Sequence, residues 1–116
     1  MNDTITAIAT PLGEGGIGVI RLSGKDSLAI ALRLFHPATG PLEEPSPQKV
    51  LFGEIRDPES DECIDQVLLT FFKKPKSYTA EDVIEISAHG GAWIVSRILE
   101  LVLRQGARLA EPGEFT

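Results

Sequence analysis

The run Glu81-Asp82-Val83-Ile84-Glu85-Ile86-Ser87-Ala88-His89-Gly90-Gly91 constrains this chain more than any other part of it. Residues 82–87 are rich in β-formers and set the Glu85 carboxylate between two isoleucines, so they read as a strand. His89-Gly90-Gly91 then hands the chain to a helical pattern over residues 91–105. Ile94 or Val95, Ile98 and Val102 recur at near-helical spacing there, and Leu99, Leu101 and Leu103 widen the apolar face. Gly106 suits the left-handed residue that closes a helix. A strand that leaves through glycines onto a helix N-terminus is a common place to hold a small polar ligand. Glu85 is the candidate reader of that ligand.

The rest of the chain supplies partners for this unit. Residues 4–9 alternate polar or small with apolar and read as a strand; residues 17–22 read as a second, after a glycine-rich turn. Ser23-Gly24-Lys25-Asp26 matches a helix-start capping pattern. Leu28, Ala31, Leu32 and Phe35 then form one apolar helical face, which His36-Pro37 ends. Residues 37–48 hold four prolines and read as a surface loop. Strand-like runs at 50–56 and 64–72 flank an acidic turn and suggest a hairpin. Lys73-Lys74-Pro75-Lys76-Ser77 is a second loop, and residues 107–110 could add a short last strand. The expected fold is α+β: one domain over residues 1–116, a mixed sheet of about five strands with two main helices on one face.

Bulk properties exclude some functions. A net charge of −6 opposes a large phosphate-binding face, which needs clustered Lys and Arg. Cys63 is the single cysteine, so no intramolecular disulfide forms, and its acidic neighbours disfavour a reactive thiolate. The N-terminus has no basic and apolar signal-peptide pattern, and no apolar run approaches the roughly 18 residues that span a bilayer. A cytoplasmic protein without a membrane partner is expected. Glu111-Pro112-Gly113-Glu114-Phe115-Thr116 reads as a turn leading onward, with nothing after Phe115 for it to pack against, as in a piece of a longer polypeptide.

Two glycine motifs mislead. Gly13-Glu14-Gly15-Gly16-Ile17-Gly18 satisfies G-x-G-x-x-G, but a dinucleotide site needs a helix directly after it, and Val19-Ile20-Arg21-Leu22 reads as strand. Ser23-Gly24-Lys25-Asp26 lacks the upstream glycine and the hydroxyl residue of a nucleotide phosphate loop. Four side chains stay open to two readings each. Arg21 is a solvated strand arginine or a planar donor fork for a ligand. Glu85 faces solvent or pairs with a heterocycle presenting adjacent N–H donors, such as a pterin. His89 is structural or lines a ligand, with no second histidine at metal-ligand spacing. Trp93 belongs to core or interface, or stacks on a ligand. No nucleophile, base and orienting group are placed together, so no catalytic residue and no metal site are expected in this chain.

Several motifs in register carry a resemblance. They are Asp3-Thr4-Ile5, Ala9-Thr10-Pro11, Gly15-Gly16-Ile17-Gly18-Val19-Ile20-Arg21-Leu22-Ser23-Gly24, Ser77-Tyr78-Thr79-Ala80-Glu81-Asp82-Val83-Ile84-Glu85-Ile86, His89-Gly90-Gly91 and Ala110-Glu111-Pro112-Gly113-Glu114-Phe115-Thr116. Together they resemble the N-terminal domain of the MnmE (TrmE) family of tRNA modification GTPases, with Ala80 and Ala88 as mild departures. The resemblance implies one half of a folate-binding platform like that of glycine-cleavage T proteins, completed by a homodimer, with 5-formyltetrahydrofolate as one-carbon source. It implies Arg21 and Glu85 as folate contacts, with His89, Gly90 and Gly91 shaping the walls. It further implies that the full-length protein uses GTP, magnesium and potassium and works with an FAD-dependent partner (MnmG, or GidA) on the wobble uridine of tRNA. The family's phosphate loop, a further folate-contacting lysine and a C-terminal cysteine motif have no counterpart in these residues. An assembly module that only dimerises is the rival expectation.

Overall fold

The computed structural model describes residues 3–9, 17–38, 40, 49–73, 81–89 and 91–115. Its elements in chain order are β1 (Ile5–Ile8), β2 (Gly18–Ser23), α1 (Ser27–Leu34), β3 (Phe35–Pro37), β4 (Val50–Arg56), β5 (Cys63–Phe72), β6 (Val83–Ala88), α2 (Gly91–Arg104) and β7 (Arg108–Leu109). They build one mixed sheet in the order β3-β4-β5-β6-β2-β1-β7. Neighbours are antiparallel except the β1–β7 pair, which is parallel. The expected α+β class with two helices stands. The strand count does not: seven strands replace about five.

One of the extra strands corrects the reading of α1. Phe35, whose spacing suits the helical face, leaves the helix instead, at φ −98° and ψ 128°. It then pairs opposite Ile55 while remaining buried. His36-Pro37 does end the helix, but by continuing as an edge strand. Proline lacks the N–H a central strand must donate, so the edge is where a strand can hold it. The other addition, β7, lies inside the run allowed for at 107–110. Gly106 follows α2 and donates its N–H to Leu103 O at 3.1 Å.

The capping pattern at 23–26 is also corrected. Ser23 is the last residue of β2, and its hydroxyl lies 3.4 Å from Glu81 Oε1. Asp26 occupies the N-cap of α1 without a side-chain cap hydrogen bond. Instead the Asp26 N–H donates to Thr4 Oγ1 at 3.0 Å, and Ser27 Oγ lies 2.9 Å from Gly24 O and 3.0 Å from Asp82 O. Groups distant in sequence do the work that a local box was expected to do.

Pairing sorts the strand residues into two faces, since directly opposed residues share a side. Ile20 and Leu22 stand opposite Ile86 and Ile84, which stand opposite Leu69 and Phe71. These six form one core with Ile30, Leu34, Val95, Ile98, Leu101 and Val102 of the helices. Both helices therefore cover this side. The other side of the sheet carries Ala7, Arg21, Glu85 and Thr70 in one cross-strand row ending at Val50. Phe52 and Leu68 are paired in the next row, and Val50, Phe52 and Leu68 are exposed.

Gly18 sets how closely α2 approaches β2. A Cβ built on it would lie 2.2 Å from Val95 Cγ2, so the glycine lets the helix seat against the sheet. Most of the glycine turn before it, like residues 41–48, 74–80 and Gly90, lies outside the described residues.

Candidate functional site

Arg21 and Glu85 stand directly opposite each other on β2 and β6, 64 residues apart in sequence. The alternation that buries Ile20, Leu22, Ile84 and Ile86 under the helices turns both charged residues to the helix-free side. Arg21 Nε donates to Glu85 Oε2 at 2.8 Å, and a terminal guanidinium nitrogen reaches the same oxygen at 2.7 Å. With side-chain exposures of 25% and 20%, the pair is largely shielded yet reachable. Both nitrogens converge on one oxygen, so the arginine holds the carboxylate in a set orientation.

A cleft of about 380 Å³ opens on the β1 side of Arg21. Ala7, Ile8 and Ala9 form one wall, and residues 110–115 form the other. Phe115, expected to have nothing to pack against, lies with its ring centre 6.0 Å from the Arg21 guanidinium carbon, at the outer range of a cation–π contact.

The turn bearing Phe115 is tied down by Arg108. Arg108 Nε donates to Asp3 Oδ2 at 2.9 Å, and its two terminal nitrogens grip both oxygens of Glu114, one of them at 3.1 Å. The Glu111 N–H also donates to Glu114 Oε1, at 2.8 Å. The Arg108 hydrogen bonds first, and the Glu111 N–H second, hold the Glu114 carboxyl below the usual range, while Glu114 first and Asp3 second keep the Arg108 guanidinium firmly charged. Backbone bonds from the Arg108 and Ala110 N–H groups to Thr4 O and Thr6 O lay this segment along β1.

The other expected site residues lie elsewhere. His89 is exposed four residues beyond Glu85, which at about 3.3 Å per strand residue is roughly 13 Å away. Its backbone N–H donates to Asp65 Oδ2 at 3.0 Å. Gly91 opens α2 at φ +81°, a conformation that favours glycine, with nothing within 4 Å of where a Cβ would be. Gly90 is outside the described residues. The structure thus joins Arg21 to Glu85 and leaves His89 and Gly91 at the far end of β6.

Trp93 is 71% exposed, so the core half of its reading is excluded. Cys63 is exposed, and desolvation first, with the Glu54 carboxylate next, pushes its thiol up, away from a reactive thiolate. Among the described residues no group of three or more His, Cys, Asp and Glu could hold a metal ion, and no helix is long and apolar enough to cross a membrane. Sequence reasoning missed Ala7, Ala9 and Glu114 as parts of a cleft, and Arg108 as the residue that ties down its turn. The one available signal was an aromatic residue, Phe115, just after a Pro-Gly turn.

The fold and site define a class: an α+β domain whose sheet face away from α1 and α2 presents an arginine–glutamate pair beside a cleft lined by residues 110–115. Within that class the chain belongs to the family described as GTP-binding protein TrmE N-terminus, whose family model matches residues 4–116. It is 56% identical over 117 residues to a tRNA modification GTPase MnmE of Moorella thermoacetica, covering 100% of this chain and 25% of that protein. Proteins of the same name from Thermoanaerobacter pseudethanolicus and Enterococcus faecalis are 52% and 48% identical, over 98% of the chain and 25% and 24% of their own lengths. The chain therefore spans about a quarter of the length of the curated relatives it matches.

Proposed function

We propose that this chain is the N-terminal folate-binding and dimerisation domain of a tRNA modification GTPase, holding 5-formyltetrahydrofolate as a one-carbon donor. In this reading two copies complete a platform of the kind found in glycine-cleavage T proteins. The larger protein, with GTP, magnesium, potassium and an FAD-dependent partner (MnmG, or GidA), modifies the wobble uridine of tRNA in the cytoplasm. The observation that carries the reading is the Arg21–Glu85 pair on the open sheet face beside a cleft of small-molecule size. A carboxylate accepts N–H bonds from the ring N–H and exocyclic amine of a pterin, and Arg21 anchors this one through Oε2. The family resemblance also implies ligand contacts at His89, Gly90 and Gly91, and His89 stands roughly 13 Å from Glu85 along β6.

Calorimetry with 5-formyltetrahydrofolate tests this. A hydrogen bond to a charged group contributes about 1.5–3 kcal/mol, so Glu85→Ala weakens binding by roughly 10- to 100-fold. Equal binding by wild type and variant removes Glu85 from the site.

A second reading has its own observation. Val50, Phe52 and Leu68 form an exposed apolar stripe on the same sheet face, as an assembly module without folate would need. A dimer by light scattering, with no thermal shift on adding 5-formyltetrahydrofolate, would favour it.

A further inference from the structure

The cleft beside Arg21 owes its shape to residues that the folate reading does not use. Its floor on β1 is small: Ala7 stands opposite Arg21 on the open face, and Ala9, two residues on, shares that face. Bulkier side chains at these two positions would fill the space. Phe115 and Glu111 also line the cleft. Nothing in the packing of the helices requires Phe115 to be there. Its place follows from Arg108, which joins Asp3 before β1 to Glu114 in the turn. A single exposed ion pair would be too weak to hold a turn, but here one guanidinium engages two carboxylates, and Glu114 also accepts a backbone N–H.

We propose that Arg108 is a positioning residue for the ligand: by clasping Glu114 it sets the Phe115 ring over Arg21, and the slot between that ring and Ala7 and Ala9 receives a flat ring of the ligand. The proposal deepens the small-ligand reading above and rests on it. A slot with an aromatic face on one side and alanine methyls on the other selects a planar group by stacking and exclusion. The Arg21 guanidinium and the Glu111 carboxylate at its edges select a ring bearing both acceptors and N–H donors. The site accordingly takes a planar heteroaromatic or aromatic amide compound, of which a folate is one case.

The test uses nuclear magnetic resonance and calorimetry on the whole chain with three probes: 5-formyltetrahydrofolate, pterin and p-aminobenzoylglutamate. Without ligand, wild type shows nuclear Overhauser contacts between the Phe115 ring and the Arg21 side chain. Arg108→Gln loses them while the β4–β5 resonances stay in place, and Arg108→Lys, which keeps the charge but not the fork, restores them only in part. With ligand, at least one probe shifts the Ala7 and Ala9 methyl resonances. Phe115→Leu and Arg108→Gln then bind that probe about tenfold more weakly, and Phe115→Tyr binds as wild type does. Unchanged affinity in Phe115→Leu and Arg108→Gln, or ligand shifts confined to the His89 end of β6, overturns the inference and leaves the role of Glu85 standing. Loss of the folate probe alone, with pterin or p-aminobenzoylglutamate still shifting the alanines, overturns the folate reading and keeps the slot. No shift of the alanines by any probe overturns the slot.

Discussion

Gly18 offers the sharpest test of how the site is built, because it begins the strand that carries Arg21. In Gly18→Ala the new methyl would stand 2.2 Å from Val95 Cγ2 and 3.3 Å from Val95 Cβ, whereas carbon atoms rest at about 3.5–4.0 Å. One of the two elements must yield by more than an ångström. Val95 has little freedom to do so: it is fully buried, and valine in a helix keeps one side-chain rotamer in about 90% of cases. Overpacking of this kind costs about 1–3 kcal/mol. The lower entropy of the unfolded alanine chain returns about 0.4–1 kcal/mol, leaving a net loss of roughly 1–2 kcal/mol. For a domain of this size that is a fall of about 3–10 °C in Tm.

The cycle with Val95→Ala separates a clash from a general intolerance of side chains in β2. Val95→Ala removes two buried methyls and costs about 2–3 kcal/mol with its cavity. In the double variant the methyl introduced by Gly18→Ala occupies part of that cavity, so the combined loss falls short of the sum by about 1–2 kcal/mol. Urea denaturation followed by circular dichroism on all four proteins gives the coupling. Additivity within about 0.5 kcal/mol, or a Gly18→Ala protein as stable as wild type, would refute the reasoning.

Three further outcomes are expected. Asp57 is buried, receives the Glu59 N–H at 2.8 Å and the Arg97 guanidinium at 2.8 Å, and so ties the β4–β5 hairpin to α2. Asp57→Asn is expected to speed amide exchange in residues 57–62 and in the middle of α2, and unchanged exchange would show that the tie is idle. The Asp57 carboxyl is held low, chiefly by the Glu59 N–H and then by Arg97, so its folded state favours the charged form. Its contribution to stability is therefore present above the ordinary carboxylate range and is lost as pH falls through its lowered value. Melting temperature followed from about pH 6 to pH 3 should fall less steeply in Asp57→Asn than in wild type, and parallel curves would contradict the sign. Trp93→Ser, at an exposed position, should change unfolding free energy by no more than about 0.5 kcal/mol in denaturant titration, and a larger loss would mean that the indole is packed.

Much of the local architecture is written in residue order. The β-formers Val83, Ile84 and Ile86 of β6, the glycines after the strand and the apolar face of α2 each act within a few residues, so period and turn chemistry reveal them. The strand at 17–22, which separates the glycine motif from a dinucleotide site, is legible for the same reason. β3 is not. Phe35 continues the helical spacing of Leu28 and Leu32, and it turns to strand only because β4 offers Ile55 as a partner. The cap of α1 fails as a local pattern because Thr4, distant in sequence, accepts from the Asp26 N–H that a capping box would have served, and Asp82 O takes the Ser27 hydroxyl.

The sequence by itself determined most of the strands and both helices, that Arg21 and Glu85 point away from their apolar neighbours, and, through its motifs, the family. Only the tertiary structure decided that β6 lies between β5 and β2, and so that Arg21 meets Glu85 across 64 residues. It alone laid residues 110–115 along β1 and brought Phe115 to Arg21. The physical reason is range. Side-chain alternation is a property of the backbone within a few residues, whereas strand order and register emerge when the whole apolar face is buried at once.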